Sequence, residues 1–156
     1  MKYKRALLGV GAVATWELAW WYRRYRLRQS TFACAAARAV ALNRPLVVIG
    51  APDRGSTAGY PCGDITVDIG PSACPRSIQA DITKAIPVED NSAVVFVACT
   101  LEYVSNFSAA WAEIRRVAGD TANVFNVRVE PWTLTAWLYP GRRRTLPVAT
   151  LPTTCG

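Results

Sequence analysis

Between Leu46 and Gly119 the chain alternates short apolar runs with acidic turns, and no other feature restricts its fold as tightly. Four strands are predicted there: Leu46-Val47-Val48-Ile49, Ile65-Thr66-Val67, Ser77-Ile78-Gln79-Ala80 and the run from Ala93 to Cys99. The second and third run straight into an aspartate, Asp68 and Asp81, and the fourth feeds a predicted helix from Glu102 to Val117. A fifth strand is predicted from Asn123 to Val129. Continuous apolar strands followed by a helix suit a parallel sheet covered on both faces, so the fold class is α/β. Such sheets bind ligands at the carboxyl ends of their strands, where both aspartates stand.

The same succession resembles the core of class I S-adenosylmethionine-dependent methyltransferases. In that family an acidic residue ends the second strand and holds the ribose hydroxyls, and Asp68 in Val67-Asp68-Ile69 matches it. A second acidic residue follows the third strand and faces the adenine amino group, matching Asp81 in Gln79-Ala80-Asp81-Ile82. The phrases Ile86-Pro87-Val88-Glu89-Asp90-Asn91-Ser92, Leu101-Glu102-Tyr103-Val104 and Glu113-Ile114-Arg115-Arg116-Val117-Ala118-Gly119 follow in the family's order. The resemblance implies a minimal Rossmann-like, three-layer methyltransferase core with S-adenosylmethionine as cofactor. It implies that Gly50 lies beside the methionine part, Asp68 at the ribose, Asp81 and Ile82 around the adenine, and Thr100, Leu101 and Glu102 at the mouth. Glu102, Asp53 and Tyr103 are the local candidates for a base where the acceptor carries a proton.

The chain departs from that pattern after its first strand. A Gly-x-Gly-x-Gly turn is usual there, and the sequence reads Val48-Ile49-Gly50-Ala51-Pro52-Asp53-Arg54-Gly55, with one glycine in place. Proline near the second position removes an N–H as well as flexibility. Little room is left for crossover helices between Gly50 and Ile65, and almost none between Asp68 and Ser77. These departures define the competing expectation, a non-catalytic structural or scaffolding protein that reuses the fold, for example a component of a viral particle or a membrane-bound assembly.

The amino-terminal segment carries a second signal. Ala6 to Tyr22 is apolar except for Thr15 and Glu17, with Lys2, Lys4 and Arg5 before it and Arg23, Arg24, Arg26 and Arg28 after it. A spanning helix needs about 20 apolar residues, with a lower limit of about 17. Trp16, Trp20, Trp21 and Tyr22 suit a membrane interface, whereas Glu17 is costly within a bilayer. Three readings stand: a membrane-spanning or signal-anchor helix in contact with lipid, a helix lying flat on a membrane or a partner, and an ordinary helix covering the sheet. The first divides the chain into a membrane segment at 1–29 and a shortened α/β domain at 30–156, with the basic bias after the helix placing that domain on the cytoplasmic side. Ser30 to Leu42, alanine-rich with a serine at its start, reads as a separate N-capped helix.

The net charge of +7 is concentrated in the amino-terminal segment and in Arg142-Arg143-Arg144. No nucleic-acid-binding motif accompanies it, so no specific nucleic acid is expected as a partner; other proteins of a larger assembly are. There is no histidine, which excludes Ser-His-Asp and Cys-His catalysis. The five cysteines Cys34, Cys62, Cys74, Cys99 and Cys155 have no Cys-x-x-Cys spacing, so no metal site is expected. Their odd number favours reduced thiols, although Cys62 and Cys74 are candidates for a disulfide in an oxidising compartment. Trp132 to Tyr139 reads as a short helix or a strand, and with the arginine triplet it forms either an interfacial patch or an aromatic core strip.

Overall fold

Every residue of the first and fourth strands is buried, and the two faces of those strands sort their side chains into two separate cores. The computed structural model describes residues 2–53 and 60–128, so the Trp132–Tyr139 segment and the arginine triplet lie outside the described residues. Its elements are α1 (Lys2–Leu42), β1 (Leu46–Ile49), β2 (Ile65–Asp68), β3 (Ser77–Gln79), β4 (Val94–Ala98), α2 (Phe107–Ala118), a 3-10 turn (Thr121–Asn123) and β5 (Val124–Val127). All strands pair in parallel in the order β3-β2-β1-β4-β5. This order is compatible with a Rossmann-like sheet, and it reverses direction between β1 and β4.

Strand periodicity explains the two cores. Val47, Ile49, Val67, Val95 and Val97 point to one face, where Ala110, Ile114 and Val117 of α2 pack on them. Leu46, Val48, Val94, Phe96 and Val127 point to the other, against Ala35 and Ala39 of α1 and the ring of Tyr60. Successive side chains of a strand face opposite ways, so one continuous apolar run feeds both layers. The result is a three-layer α/β/α arrangement with α1 and α2 on opposite faces.

The helix at the amino terminus differs from the expectation of an anchor followed by a second helix. No glycine or proline lies between Ala12 and Leu42, so nothing stops the helix, and α1 is continuous over 41 residues. Ser30 is not a cap; it sits in mid-helix with its hydroxyl donating to the carbonyl of Leu27 at 3.1 Å. Among the described residues no helix is long and apolar enough to cross a membrane. The expected membrane localisation is therefore corrected, and the orientation argument built on it falls with it. The physical reason is visible in the element itself: the apolar stretch is interrupted by Glu17, closed by Arg23 and Arg24, and runs directly into a segment whose buried stripe is committed to the sheet.

The helix predicted from Glu102 begins later, at Phe107. Asn106 caps it, its side chain accepting from Ala109 N–H at 3.1 Å. It ends at Gly119, whose φ of 71° and N–H bond to the Arg115 carbonyl form the terminating turn. The Ile86–Ser92 phrase before β4 wraps the Arg116 side chain, which donates to the carbonyls of Ile86 at 2.7 Å and Val88 at 2.9 Å and to the Glu113 carboxylate. No helix forms there, and Ile86 instead fills the core under α2.

The cysteines depart from the expectation of reduced thiols and follow the alternative, a Cys62–Cys74 bridge. Cys62 and Cys74 form a disulfide that joins the segments entering β2 and β3, with their Cα atoms 5.7 Å apart. Cys34 is disulfide-bonded as well, and Cys99 is a buried free thiol. The parallel pairing of β2 with β3 sets the segments that enter them side by side, which brings these two cysteines within bonding distance.

Candidate functional site at the carboxyl edge of the sheet

A cleft of about 190 Å³ opens over the carboxyl ends of β1, β2, β3 and β4. Gly50, Asp68, Asp81, Ile82, Thr100 and Tyr103 line it. The strand order makes this the point where loops from β1 and β4 diverge in opposite directions, leaving a crevice. A larger groove of about 690 Å³ lies at the opposite, amino-terminal edge, where Asp64 accepts the N–H of Leu46 at 2.8 Å. It lacks the diverging loops, and its single acidic group is engaged in starting the sheet.

Gly50 ends β1 with φ 97°, a conformation that side chains disfavour. A Cβ there would also collide with Thr100 Oγ1, the hydroxyl that closes over it from the β4 side. Thr100 Oγ1 in turn lies 3.0 Å from the Ala98 carbonyl, which accepts from it. Glycine and threonine thus form a close crossing between the two central loops, and the backbone of β1 is presented bare to the cleft.

Asp68 is the last residue of β2, and both its oxygens are engaged. Ala51 N–H donates to Oδ2 and Gly70 N–H donates to Oδ1, each at 2.8 Å. The carboxylate therefore ties the loop after β1 to the turn after β2. A carboxylate has about four acceptor sites, so each oxygen keeps one for another donor. Asp81 is built differently. Thr83 N–H and Thr83 Oγ1 both donate to its Oδ1, at 2.9 Å and 2.7 Å. These bonds, the hydroxyl first, hold its carboxyl below the usual carboxylate range, so it faces the cleft as an anion.

Five of the expected site residues, Gly50, Asp68, Asp81, Ile82 and Thr100, line this one cleft. Leu101 and Glu102 do not: they are 0% and 2% exposed, turned inward beneath it. Glu102 acts electrostatically on Cys99, whose thiol burial pushes up to about 12 with Glu102 adding to the effect. Asp53 also stands apart, accepting from Ser72 Oγ at 2.9 Å and Ala73 N–H at 2.7 Å. Of the three base candidates, Tyr103 alone borders the cleft. Thr83 was not foreseen as a site residue; an Asp-x-Thr spacing directly after a strand is the local signal for the turn it makes.

No family model matches this chain, and no curated protein and no solved structure matches it.

Proposed function

We propose that this chain is a methyltransferase-like α/β protein whose carboxyl-edge cleft binds the nucleoside part of S-adenosylmethionine. The reading is carried by one observation: two carboxylates from neighbouring parallel strands, Asp68 and Asp81, border a single apolar cleft beside a glycine with positive φ. The residues present fit such a group. Each aspartate retains an unused acceptor site for hydroxyl or amino donors, and Ile49, Val67 and Ile82 supply apolar surface for a base.

When bound, the cofactor would supply an electrophilic methyl group on a sulfonium. The chain's own part is positional. Asp68 accepts ribose hydroxyls while its amide bonds keep the β1 loop in place, Asp81 accepts the adenine amino group, and Gly50 lets the ligand approach the backbone. Holding donor and acceptor in line supplies much of the rate in such a transfer. Tyr103, which lines the cleft, is the residue we assign to the acceptor side.

A second reading, a non-catalytic scaffold that reuses the fold, is favoured by the inward burial of Leu101 and Glu102 and by the short β2–β3 link, Ile69 to Arg76, in place of a crossover helix. Titration calorimetry with S-adenosylhomocysteine separates the two. Saturable heat is expected for the full chain, weakened roughly tenfold or more in Asp81→Ala, since one hydrogen bond to a charged group contributes about 1.5–3 kcal/mol. Absence of heat at high micromolar ligand with a folded protein leaves the scaffold reading standing.

A further inference from the structure

Cys34 is disulfide-bonded, and the chain leaves it a single partner. Of the five cysteines, Cys62 and Cys74 are joined to each other and Cys99 is a buried free thiol. Cys155 is the one that remains, and it lies outside the described residues. A bridge between Cys34 and Cys155 returns the carboxyl terminus to α1 after the sheet is complete.

The surroundings of Cys34 indicate what that return covers. Val13, Trp16, Trp20, Leu27 and Cys34 follow one another in steps of three, four and seven, so they share one stripe of α1. One turn further on, Arg38 Nε donates to Asn123 Oδ1 at 3.1 Å, which sets this side of the helix against the start of β5, the edge strand of the sheet. Because α1 hands over to β1 through residues 43–45, it runs opposite to the strands, and its earlier turns extend past the carboxyl edge where β5 ends. Val127 packs in the same core as Ala35, the residue after Cys34, so the chain leaves the sheet close to the Cys34 turn.

Toward its amino-terminal end the stripe is aromatic and open: Val13 is 48% exposed and Trp16 54%. Trp16 and Trp20 pair their rings at 5.6 Å, and the Arg23 guanidinium lies over Trp20 at 4.8 Å. Large aromatic side chains gain most from burial. The residues between Arg128 and Cys155 include Trp132, Leu134, Trp137, Leu138 and Tyr139, an apolar run of matching character. Along the helix, Leu27 and Trp16 are roughly 16 Å apart. The segment up to Cys155 reaches roughly 90 Å when extended, enough to run out to Trp16 and come back to Cys34.

We propose that Cys34 and Cys155 form a second disulfide, and that the segment it closes lays residues 132–139 on the α1 stripe of Val13, Trp16 and Trp20. The occupant of that stripe is this chain's own tail. Formation is a two-electron oxidation: the two thiols lose two protons and two electrons to a low-molecular-weight disulfide, which leaves as two thiols. The bridge lies apart from the nucleoside cleft and does not depend on what that cleft binds.

The test takes the full chain, oxidised with glutathione disulfide until Cys62 and Cys74 are fully joined, so that the first bridge reports complete oxidation. After alkylation and proteolysis without reduction, a cross-linked species holding Cys34 and Cys155 from one chain is expected. Hydrogen exchange then reads the stripe. Amides of residues 13–27 are expected to exchange severalfold faster in Cys155→Ser than in the wild type, with Val47 and Val95 unmoved. The double variant Trp132→Ala, Trp137→Ala, with the bridge intact, is expected to show the same acceleration, which a bridge that only tethers the tail would not produce. If Cys155→Ser does not fold, Cys34→Ser carries the same comparison. An alkylated Cys155 beside a closed Cys62–Cys74 bridge, a dimer linked through Cys34, or equal exchange at residues 13–27 in wild type and variants overturns the proposal.

Discussion

Replacing Asp68 by alanine tests whether the residue at the end of β2 is a structural tie as well as a cleft residue. The substitution removes the acceptors of two backbone donors, Ala51 N–H and Gly70 N–H, both bound at 2.8 Å. A hydrogen bond to a charged acceptor contributes about 1.5–3 kcal/mol, and the lower end applies here because Asp68 is half-buried and water can reach the cleft. The two bonds together should therefore cost about 3 kcal/mol. For a chain of this size that corresponds to a fall in melting temperature of roughly 6–12 °C. Asp68→Asn keeps a carbonyl for one amide and places an NH2 against the other, so its loss should be intermediate. The assay is equilibrium unfolding in urea, with the midpoint shifting at constant slope. Amide hydrogen exchange at Ala51 and Gly70 should accelerate more than exchange at Val47 or Val95. A loss below about 0.5 kcal/mol, or an asparagine variant worse than alanine, would refute the tie. The result also bears on function: a stability loss of this size means that weakened ligand binding in an Asp68 variant is not by itself proof of direct contact, which is why Asp81 is the better binding probe.

Two further perturbations follow from the same geometry. Gly50→Ala forces a Cβ into a φ of 97° and against Thr100 Oγ1, and should cost about 1–3 kcal/mol in urea unfolding; adding Thr100→Ala should recover the collision but not the backbone strain. Glu113 is held below its ordinary value of 4.5, chiefly by its bond to Arg116, so its contribution is present above that value and lost as pH falls through the folded value. Melting temperature should therefore drop on acidification below about pH 5, and Glu113→Gln should be less stable at neutral pH and show a flatter acid limb.

Much of the sheet could be read along the chain. The apolar run from Val94 to Ala98 is long enough to be buried on both faces, and a strand of that kind has few homes outside a parallel sheet with helices on each side. The two aspartates were legible because an acidic residue where a strand finishes stands at the sheet's edge: Asp68 is the last residue of β2, and Asp81 follows β3 by two residues. Helix boundaries were less legible. Asn106 rather than Glu102 starts α2, because a cap depends on one side chain reaching one amide. Leu101 and Glu102 read as mouth residues by position, and only packing turns them inward. The membrane expectation failed because Glu17 and the arginines from Arg23 onward leave no stretch of α1 long and apolar enough to span, and its second half belongs to the core.

The pattern of apolar and acidic residues by itself determined that this chain builds a parallel α/β sheet, because side-chain alternation and burial are local consequences of composition. Tertiary structure alone decided which groups meet. It closed Thr100 over Gly50, set Thr83 against Asp81, and turned Leu101 and Glu102 inward beneath the cleft. The arrangements at Gly50 and at Glu102 depend on the direction and order of strands far apart in the chain, and hydrogen bonds and charge pairs form across that distance only once the sheet has fixed it.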